Sequence, residues 1–537
     1  MTVPVLPDRY NASTTFIDAN LQAGRGSKTA IVYGDQSFTY NDVAAMVNRT
    51  GNALLKLGVQ MEQRVMCLLL DSPEFVASFF GAIRIGALPI PTNTLLKPAD
   101  YEYFLNDSRA TVLIVSEPLY ASIEPVRANL KWLKHIIVVR ASTSLSASTS
   151  LNASTSLSAN PPGTINFADW IAHESPKLAP ADTARDDACF WLYSSGTTGF
   201  PKGAVHLQHD MIYCAENYAR GVLNMNENDR TFSVAKLFFA YGLGNALYFP
   251  FYVGATTILY PGRPEPKAIY ETITKTKPTL FFCVPTAYAG LLALDDTSAY
   301  DLSSVRQCIS AGEALPKALY DKWLAKWNVE ILDGIGSTEI LHIFISNRAN
   351  QARPGSSGKL VPGYDAKIAD ENDQELPQGE VGNLLIRGDS ICALYWNKHT
   401  KTKETIVGEW IRTGDKYSID ADGYFWYQGR SDDMLKAGGI WVSPVEVEAT
   451  LMLHAAVFEC AVIGLMDKDE LLKPKAFVVL KQGFASSPEL EAELKSFVKD
   501  KIAPYKYPRW IEFVSELPKT ATGKIQRFKL RQRETEK

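Results

Sequence analysis

The residues of this chain that could do chemistry gather in glycine-rich stretches. The densest is Leu192-Tyr193-Ser194-Ser195-Gly196-Thr197-Thr198-Gly199-Phe200-Pro201-Lys202-Gly203, with two serines, two threonines, three glycines and a lysine in twelve residues. Glycines let backbone approach a ligand closely, hydroxyls and amides donate hydrogen bonds, and lysine adds positive charge, which together make a phosphate cradle. The Walker spacing G-x-x-x-x-G-K-[ST] is absent. Composition alone fits a flexible surface turn equally well. Five more stretches set reactive side chains among small residues: Ser310-Ala311-Gly312-Glu313-Ala314, Asp333-Gly334-Ile335-Gly336-Ser337-Thr338-Glu339, Thr413-Gly414-Asp415, Gly429-Arg430-Ser431-Asp432-Asp433-Met434-Leu435-Lys436 and Pro518-Lys519-Thr520-Ala521-Thr522-Gly523-Lys524.

At 537 residues the chain is too long for one simple core, so two or more domains are expected. A net charge of −4 offers no attraction for nucleic acid or an anionic membrane. Seven scattered cysteines without a C-x-x-C pair point to reduced thiols and a cytoplasmic protein. His206 and His209 stand three apart, but no cysteine or carboxylate cluster completes a metal site beside them. The uncharged segment 237–260 is long enough to cross a bilayer, yet Gly242, Gly244, Asn245, Pro250 and Gly254 interrupt it. It reads instead as a broken loop, a buried helix over 245–253 and a strand over 255–260. No signal peptide or membrane span is expected.

Strand and helix patterns alternate from about 28 to 140 and again after 203, with continuous apolar strands, which implies parallel α/β sheets. Between them, residues 141–160 hold three copies of a hexapeptide, Ala-Ser-Thr-Ser-Leu followed by Ser or Asn. Small polar repeats cannot bury a core, so the segment reads as a flexible surface insertion. From about 355, shorter turn-punctuated strands suggest a small β-barrel-like subdomain. The expected fold is α/β: a large N-terminal domain over 1–430 with parallel sheets and that subdomain, then a small mobile α+β domain over 431–537.

In order and type, the six stretches resemble the signature motifs of the acyl-adenylate-forming superfamily, whose members include acyl-CoA ligases, peptide-synthetase adenylation domains and beetle luciferase. The resemblance runs from about 28 to 530. It implies that ATP, Mg²⁺ and CoA take part. Ser194, Ser195, Gly196, Thr197, Thr198, Gly199 and Lys202 would then hold the β- and γ-phosphates. Ala311, Gly312, Glu313, Asp333, Gly334, Ile335, Gly336 and Ser337 would surround adenine, with Ile335 where the family usually has an aromatic residue. Glu339 would help hold Mg²⁺, and Thr338 would reach the α-phosphate. Asp415 would accept the ribose hydroxyls, with Arg430 in support. Lys524, thirteen residues from the C-terminus, matches the mobile catalytic lysine. Asp432 falls where the family has its hinge, and Lys436, Gly438 and Gly439 would meet the pantetheine of CoA.

The acid should lie beside the nucleotide. Phe239-Ala240-Tyr241-Gly242 and Ile340-Leu341-His342 resemble the pocket stretches of benzoate-CoA ligases, and aromatic and small walls suit a flat apolar acid. A hydroxyl or amino substituent could be met by His342 or Tyr241. The expected partner is therefore a benzoate-like carboxylic acid, activated with ATP and passed to free CoA. Rival readings are a medium-chain fatty acyl-CoA ligase and a nucleotide-binding protein without catalysis. The oligomeric state stays open between monomer and homodimer.

Overall fold

The computed structural model describes residues 5–140, 161–194, 201–430, 435–437, 440–467, 472–502, 506–519 and 525–536. The hexapeptide repeat, Ser195 to Gly199, Asp432, Gly438, Gly439 and Lys524 lie outside the described residues.

One sheet is wholly parallel, in the order Leu88–Pro91, Arg64–Leu68, Val112–Ser116, His135–Val139, Ile165–Asn166. Val112–Ser116 is buried along its whole length, as a central strand covered on both faces must be. Helix Tyr40–Lys56 opens with a capping box between Thr39 and Asp42. It packs beside helix Pro73–Arg84, whose first turn is capped by the Ser72 hydroxyl. Leu88–Pro91 carries two prolines and escapes a sequence reading. It stands at the sheet edge, where a missing N–H is tolerated.

A second sheet has nine strands. Its middle is parallel, running Thr29–Tyr33, Thr256–Leu259, Arg230–Ser233, Leu280–Cys283, Gln307–Ser310, Ile331–Gly336. Antiparallel strands close both edges, Gln36–Thr39 at one and Ile343–Ser346 with Lys359–Leu360 at the other. The register matters for function. Cys283 pairs with Ser310 and Ser310 with Asp333, so the ends of two strands stand level with Asp333, the last parallel-paired residue of the third.

The shorter strands form an antiparallel sheet of Asp365–Ala369, Gly382–Arg387, Trp410–Ile419, Ile406–Val407 and Phe425–Arg430. The glycine-rich stretch connects two antiparallel strands, Ala188–Ser194 and Lys202–Leu207, with Ser194 opposite Lys202. The small C-terminal domain has its own sheet, Val457–Met466, Leu472–Leu480 and Trp510–Phe513, with helices Pro444–Leu451 and Pro488–Lys501 sharing its core. Among the described residues no helix is long and apolar enough to cross a membrane. Segment 237–260 is broken as its glycines require, with a wide π-type turn at Gly244–Tyr248, a short helix at Phe249–Val253 and a strand at Thr256–Leu259.

Candidate active site

Asp333 lies in the buried half of the strand Ile331–Gly336, and its neighbours explain its state. The Oδ2 atom lies 3.5 Å from the Leu315 amide. Its Oδ1 atom is buried without a well-formed hydrogen bond, as is the Ser310 hydroxyl on the paired strand. Burial pushes the Asp333 carboxyl up to about 8, and the Ser310 hydroxyl beside it works against that shift. Buried polar groups so weakly satisfied cost free energy, so this pair marks a place for a polar ligand. Ala311 is buried there and Gly312 has φ +93°. Glu313 accepts a hydrogen bond from Thr286 at 2.7 Å in exposed surroundings. Gly334 and Gly336 serve packing: a Cβ would stand 2.7 Å from the Ile345 carbonyl oxygen and 2.6 Å from that of His342. Ile335 is half-buried and packs against the main core.

The turn after this strand is tightly held. Leu341 is buried at φ +72°, a left-handed conformation that costs of order 1–3 kcal/mol for such a residue. Three consecutive carbonyls in the turn each accept a bond from another element. Thr338 takes one from His206 Nε2 at 2.8 Å, Glu339 one from the Cys392 amide at 2.7 Å, and Ile340 one from the Ser390 hydroxyl at 2.9 Å. Ser337 Oγ accepts from the Ile340 amide. The Glu339 carboxylate accepts from Ser194 Oγ at 2.9 Å and Tyr395 Oη at 2.8 Å, both on Oε1. Lys202 Nζ lies 4.4 Å from the Tyr395 ring centroid. Burial lowers the Lys202 pKa, and the Glu339 charge works against that shift. The structure thus gathers Ser194, Lys202, Thr338 and Glu339 from both flanks of the glycine-rich stretch and the end of a distant strand.

Asp415 and Arg430 are register partners on adjacent strands. Arg430 donates to Asp415 Oδ1 at 3.1 Å and to the Thr413 carbonyl at 3.2 Å. Between them Gly414 has φ +75°, and a Cβ there would press on the guanidinium at 2.8 Å. Lys436 falls on the short strand Leu435–Ala437, antiparallel to Ile440–Val442.

The acyl stretches also meet. Phe239 precedes the short helix Ala240–Leu243 and its ring packs on Phe238. Gly242 sits where a Cβ would fall 2.1 Å from the Lys236 carbonyl oxygen, so the fold of the loop requires glycine there. Tyr241 donates its hydroxyl proton to the backbone, with the Cys283 and Ile309 carbonyls both at 3.3 Å. His342 is 2% exposed, ringed by Tyr218, Tyr241, Tyr248 and Phe249. Its Nε2 faces two acceptors, the Tyr241 carbonyl and Asn245 Oδ1, both at 3.2 Å. The proton therefore sits on Nε2, and Nδ1 presents a bare lone pair that is buried and unpaired among the described residues. Burial lowers the His342 pKa to about 3, which keeps the ring neutral. Ile340 is fully buried.

Sequence reasoning missed Tyr395, Asn245, Ser390 and His206 as parts of this arrangement. Asn245 carried a signal, as a lone amide inside an uncharged apolar run. The bonds to Thr338, Glu339 and Ile340 end on backbone carbonyls, which no side-chain motif records.

Parallel sheets with Ser310 and Asp333 side by side on adjacent strands, the flanks of a glycine-rich stretch bonded to Glu339, an antiparallel subdomain and a small C-terminal domain are the make-up of a nucleotide-dependent α/β enzyme. The model of the AMP-binding enzyme family matches residues 19–396 and that of the AMP-binding enzyme C-terminal domain matches residues 446–524. The chain belongs to this family, in its acyl-CoA ligase branch. It is 49% identical over 528 residues to a benzoate--CoA ligase of Thauera aromatica, covering 98% of this chain and 96% of the relative. It is 43% identical to a 4-hydroxybenzoate--CoA/benzoate--CoA ligase of Rhodopseudomonas palustris, covering 97% and 94%. Among solved structures, the anthranilate CoA ligase AuaEII in complex with anthranoyl-AMP superimposes with a TM-score of 0.92 at 48% identity, over 100% of this chain and 99% of that one. A benzoate CoA ligase from Burkholderia xenovorans LB400 gives 0.86 at 44%, over 97% and 100%.

Proposed function

We propose that the chain is an AMP-forming aryl-CoA ligase acting on benzoate or a close analogue. A carboxylate oxygen attacks the α-phosphorus of ATP and pyrophosphate leaves. The CoA thiolate then attacks the acyl carbon and AMP leaves. The observation that carries this reading is the anchoring of the acyl segment. Tyr241 ties it to the Cys283 carbonyl and to the Ile309 carbonyl, next to Ser310, whose neighbour on the adjacent strand is Asp333. A flat acid against Tyr241 and His342 lies beside a nucleotide over Asp333.

In this reading Asp333 and Ser310 meet adenine, and Asp415 with Arg430 meets the ribose. Ser194 and Lys202 flank the phosphates, with Ser195 to Gly199 completing the loop between them. Thr338 reaches the α-phosphate. Glu339 fits Mg²⁺, which typically takes one or two carboxylates and completes its shell with phosphate oxygens and water. Bound there, the ion would neutralise phosphate charge. Lys524 supplies a cation to the carboxylate and α-phosphate oxygens. A hinge at Asp432, between domains at 1–430 and 431–537, then exchanges Lys524 for Lys436, Gly438 and Gly439, which receive CoA.

A second reading, an amino- or hydroxybenzoate as the preferred acid, is favoured by one atom. The lone pair on His342 Nδ1 can accept from a ring donor. Measuring AMP release with and without CoA decides between them, using benzoate, 2-aminobenzoate, the hydroxybenzoates and octanoate. Benzoate should be turned over best among these. A tenfold preference for a substituted ring overturns the first reading in favour of the second, and a preference for octanoate overturns both.

A further inference from the structure

We propose that His206, steered by Asp210, is a positioning residue for the Thr338–Glu339 turn and hence for the adenylation step. This rests on the role given to that turn above. His206 and Asp210 are both fully buried, although neither belongs to a glycine-rich stretch. His206 Nδ1 lies 2.7 Å from Asp210 Oδ2, and Nε2 lies 2.8 Å from the Thr338 carbonyl oxygen. A carbonyl can only accept, so Nε2 carries a proton and donates it. Asp210 Oδ2 also accepts from the Leu207 amide at 3.1 Å, which fixes the carboxylate against the strand end. Phe190 stacks on the imidazole at 5.2 Å with 22° between planes, so the ring cannot swing aside. The chain of contacts runs from a buried carboxylate through a clamped imidazole to one peptide oxygen.

That oxygen sits where the backbone most needs holding. The same Thr338 carbonyl accepts from the Leu341 amide at 3.2 Å, closing the turn that forces Leu341 to φ +72°. Cys392 and Ser390 hold the next two carbonyls. His206 is the anchor nearest Thr338, and its strand, Lys202–Leu207, begins at Lys202. A shift of the phosphate-flanking strand therefore moves the Thr338 carbonyl with it. His209, three residues on, faces the Arg185 and Asp389 carbonyls at 3.0 and 2.9 Å, and its Nε2 also lies 3.2 Å from Asp210 Oδ1, so it touches the carboxylate that steers His206 from the other side.

Two substitutions separate the hydrogen bond from the ring. His206→Phe keeps the stack on Phe190 and loses both bonds. His206→Gln loses the ring but keeps a terminal N–H able to reach the Thr338 carbonyl. Benzoate-dependent ATP–pyrophosphate exchange reports adenylation, and CoA-dependent consumption of supplied benzoyl-AMP reports the second half-reaction. His206→Phe should lower kcat/KM for ATP in exchange by ~30-fold and shift the Mg²⁺ requirement upward. Benzoyl-AMP consumption should stay within about threefold. His206→Gln should recover most of the exchange activity. Equal loss in both half-reactions, or exchange lower in the Gln than in the Phe variant, overturns the proposal. If His206→Phe does not fold, the Gln variant decides alone, since exchange more than tenfold below the native enzyme refutes the bond's role. Glu339→Gln is the control on the underlying reading. Normal exchange in that variant refutes the role of the turn, whereas loss there with normal exchange in His206→Phe refutes only the positioning role.

Discussion

Replacing Asp333 by asparagine should stabilise the free protein at neutral pH, by an amount that depends on pH in a defined way. The carboxyl is buried and its pKa is raised from 3.8 to about 8. The folded chain thus holds a proton that the unfolded chain gives up. A raised pKa contributes stability that is fully present below the unfolded value and is lost as pH rises through the folded one. Each pH unit in that window is worth ~1.4 kcal/mol. From 3.8 to pH 7 is about three units, so the native Asp333 forfeits about 4 kcal/mol by pH 7. Asparagine has the same shape and stays neutral throughout, so it forfeits nothing. Unfolding by urea at pH 4 and pH 7 with both proteins measures this. The Asn variant should gain little at pH 4 and several kcal/mol at pH 7. A difference between variants that does not change with pH would refute the assignment of Asp333 as a neutral acid in the free enzyme. Saturating ATP should narrow the gap at pH 7, because an adenine amino group donating to the carboxylate favours its ionised form.

Two further outcomes follow from the same site. Lys524→Ala should cut benzoate-dependent ATP–pyrophosphate exchange by at least about a hundredfold, the scale of losing a charge aimed at the transition state. CoA thioester formation from supplied acyl-AMP should survive, and parallel loss of both would exclude the lysine from adenylation. Gly244→Ala would put a methyl group 2.4 Å from His342 Cδ2 and 2.9 Å from Tyr248 Oη, in a ring of packed aromatics. The KM for benzoate should rise at least tenfold while that for ATP stays put, and unchanged benzoate kinetics would remove His342 from the acyl pocket.

Much of the fold is legible because its signals are local. Apolar runs such as 135–139 and 280–283 mark strands buried on both faces, and capping residues such as Thr39 and Ser72 mark helix starts. The strand Leu88–Pro91 is not legible, because its prolines are acceptable only at an edge and edge position is a tertiary fact. The candidate site divides in the same way. Asp333, Thr338, Glu339 and Asp415 stand out from their glycine-rich surroundings. Tyr395 does not, since its bond to Glu339 depends on a three-strand pairing with Lys202–Leu207. The glycines divide too: Gly334, Gly336 and Gly242 look like ligand-contact positions in sequence, but neighbouring carbonyls already forbid a side chain there. The pair His206 and His209 looked idle once a metal was set aside. Each instead reaches backbone oxygens and the Asp210 carboxylate, which spacing cannot show.

The wide turn at Gly244–Tyr248, closed by the Phe249 amide on the Gly244 carbonyl, has a consequence for how such a pocket changes over time. Wide turns of this kind carry one residue more than an α-helical turn and recur at functional sites. Losing one residue there would restore the ordinary helical pitch while leaving the adjoining helix nearly in phase, because the wide turn already absorbs the extra residue. Only the side chains within the turn, Asn245 beside His342 among them, would be re-aimed. A binding site built this way has two modes of variation. Substitution trims its walls one at a time, whereas a single-codon deletion resets one wall without disturbing the helix that follows.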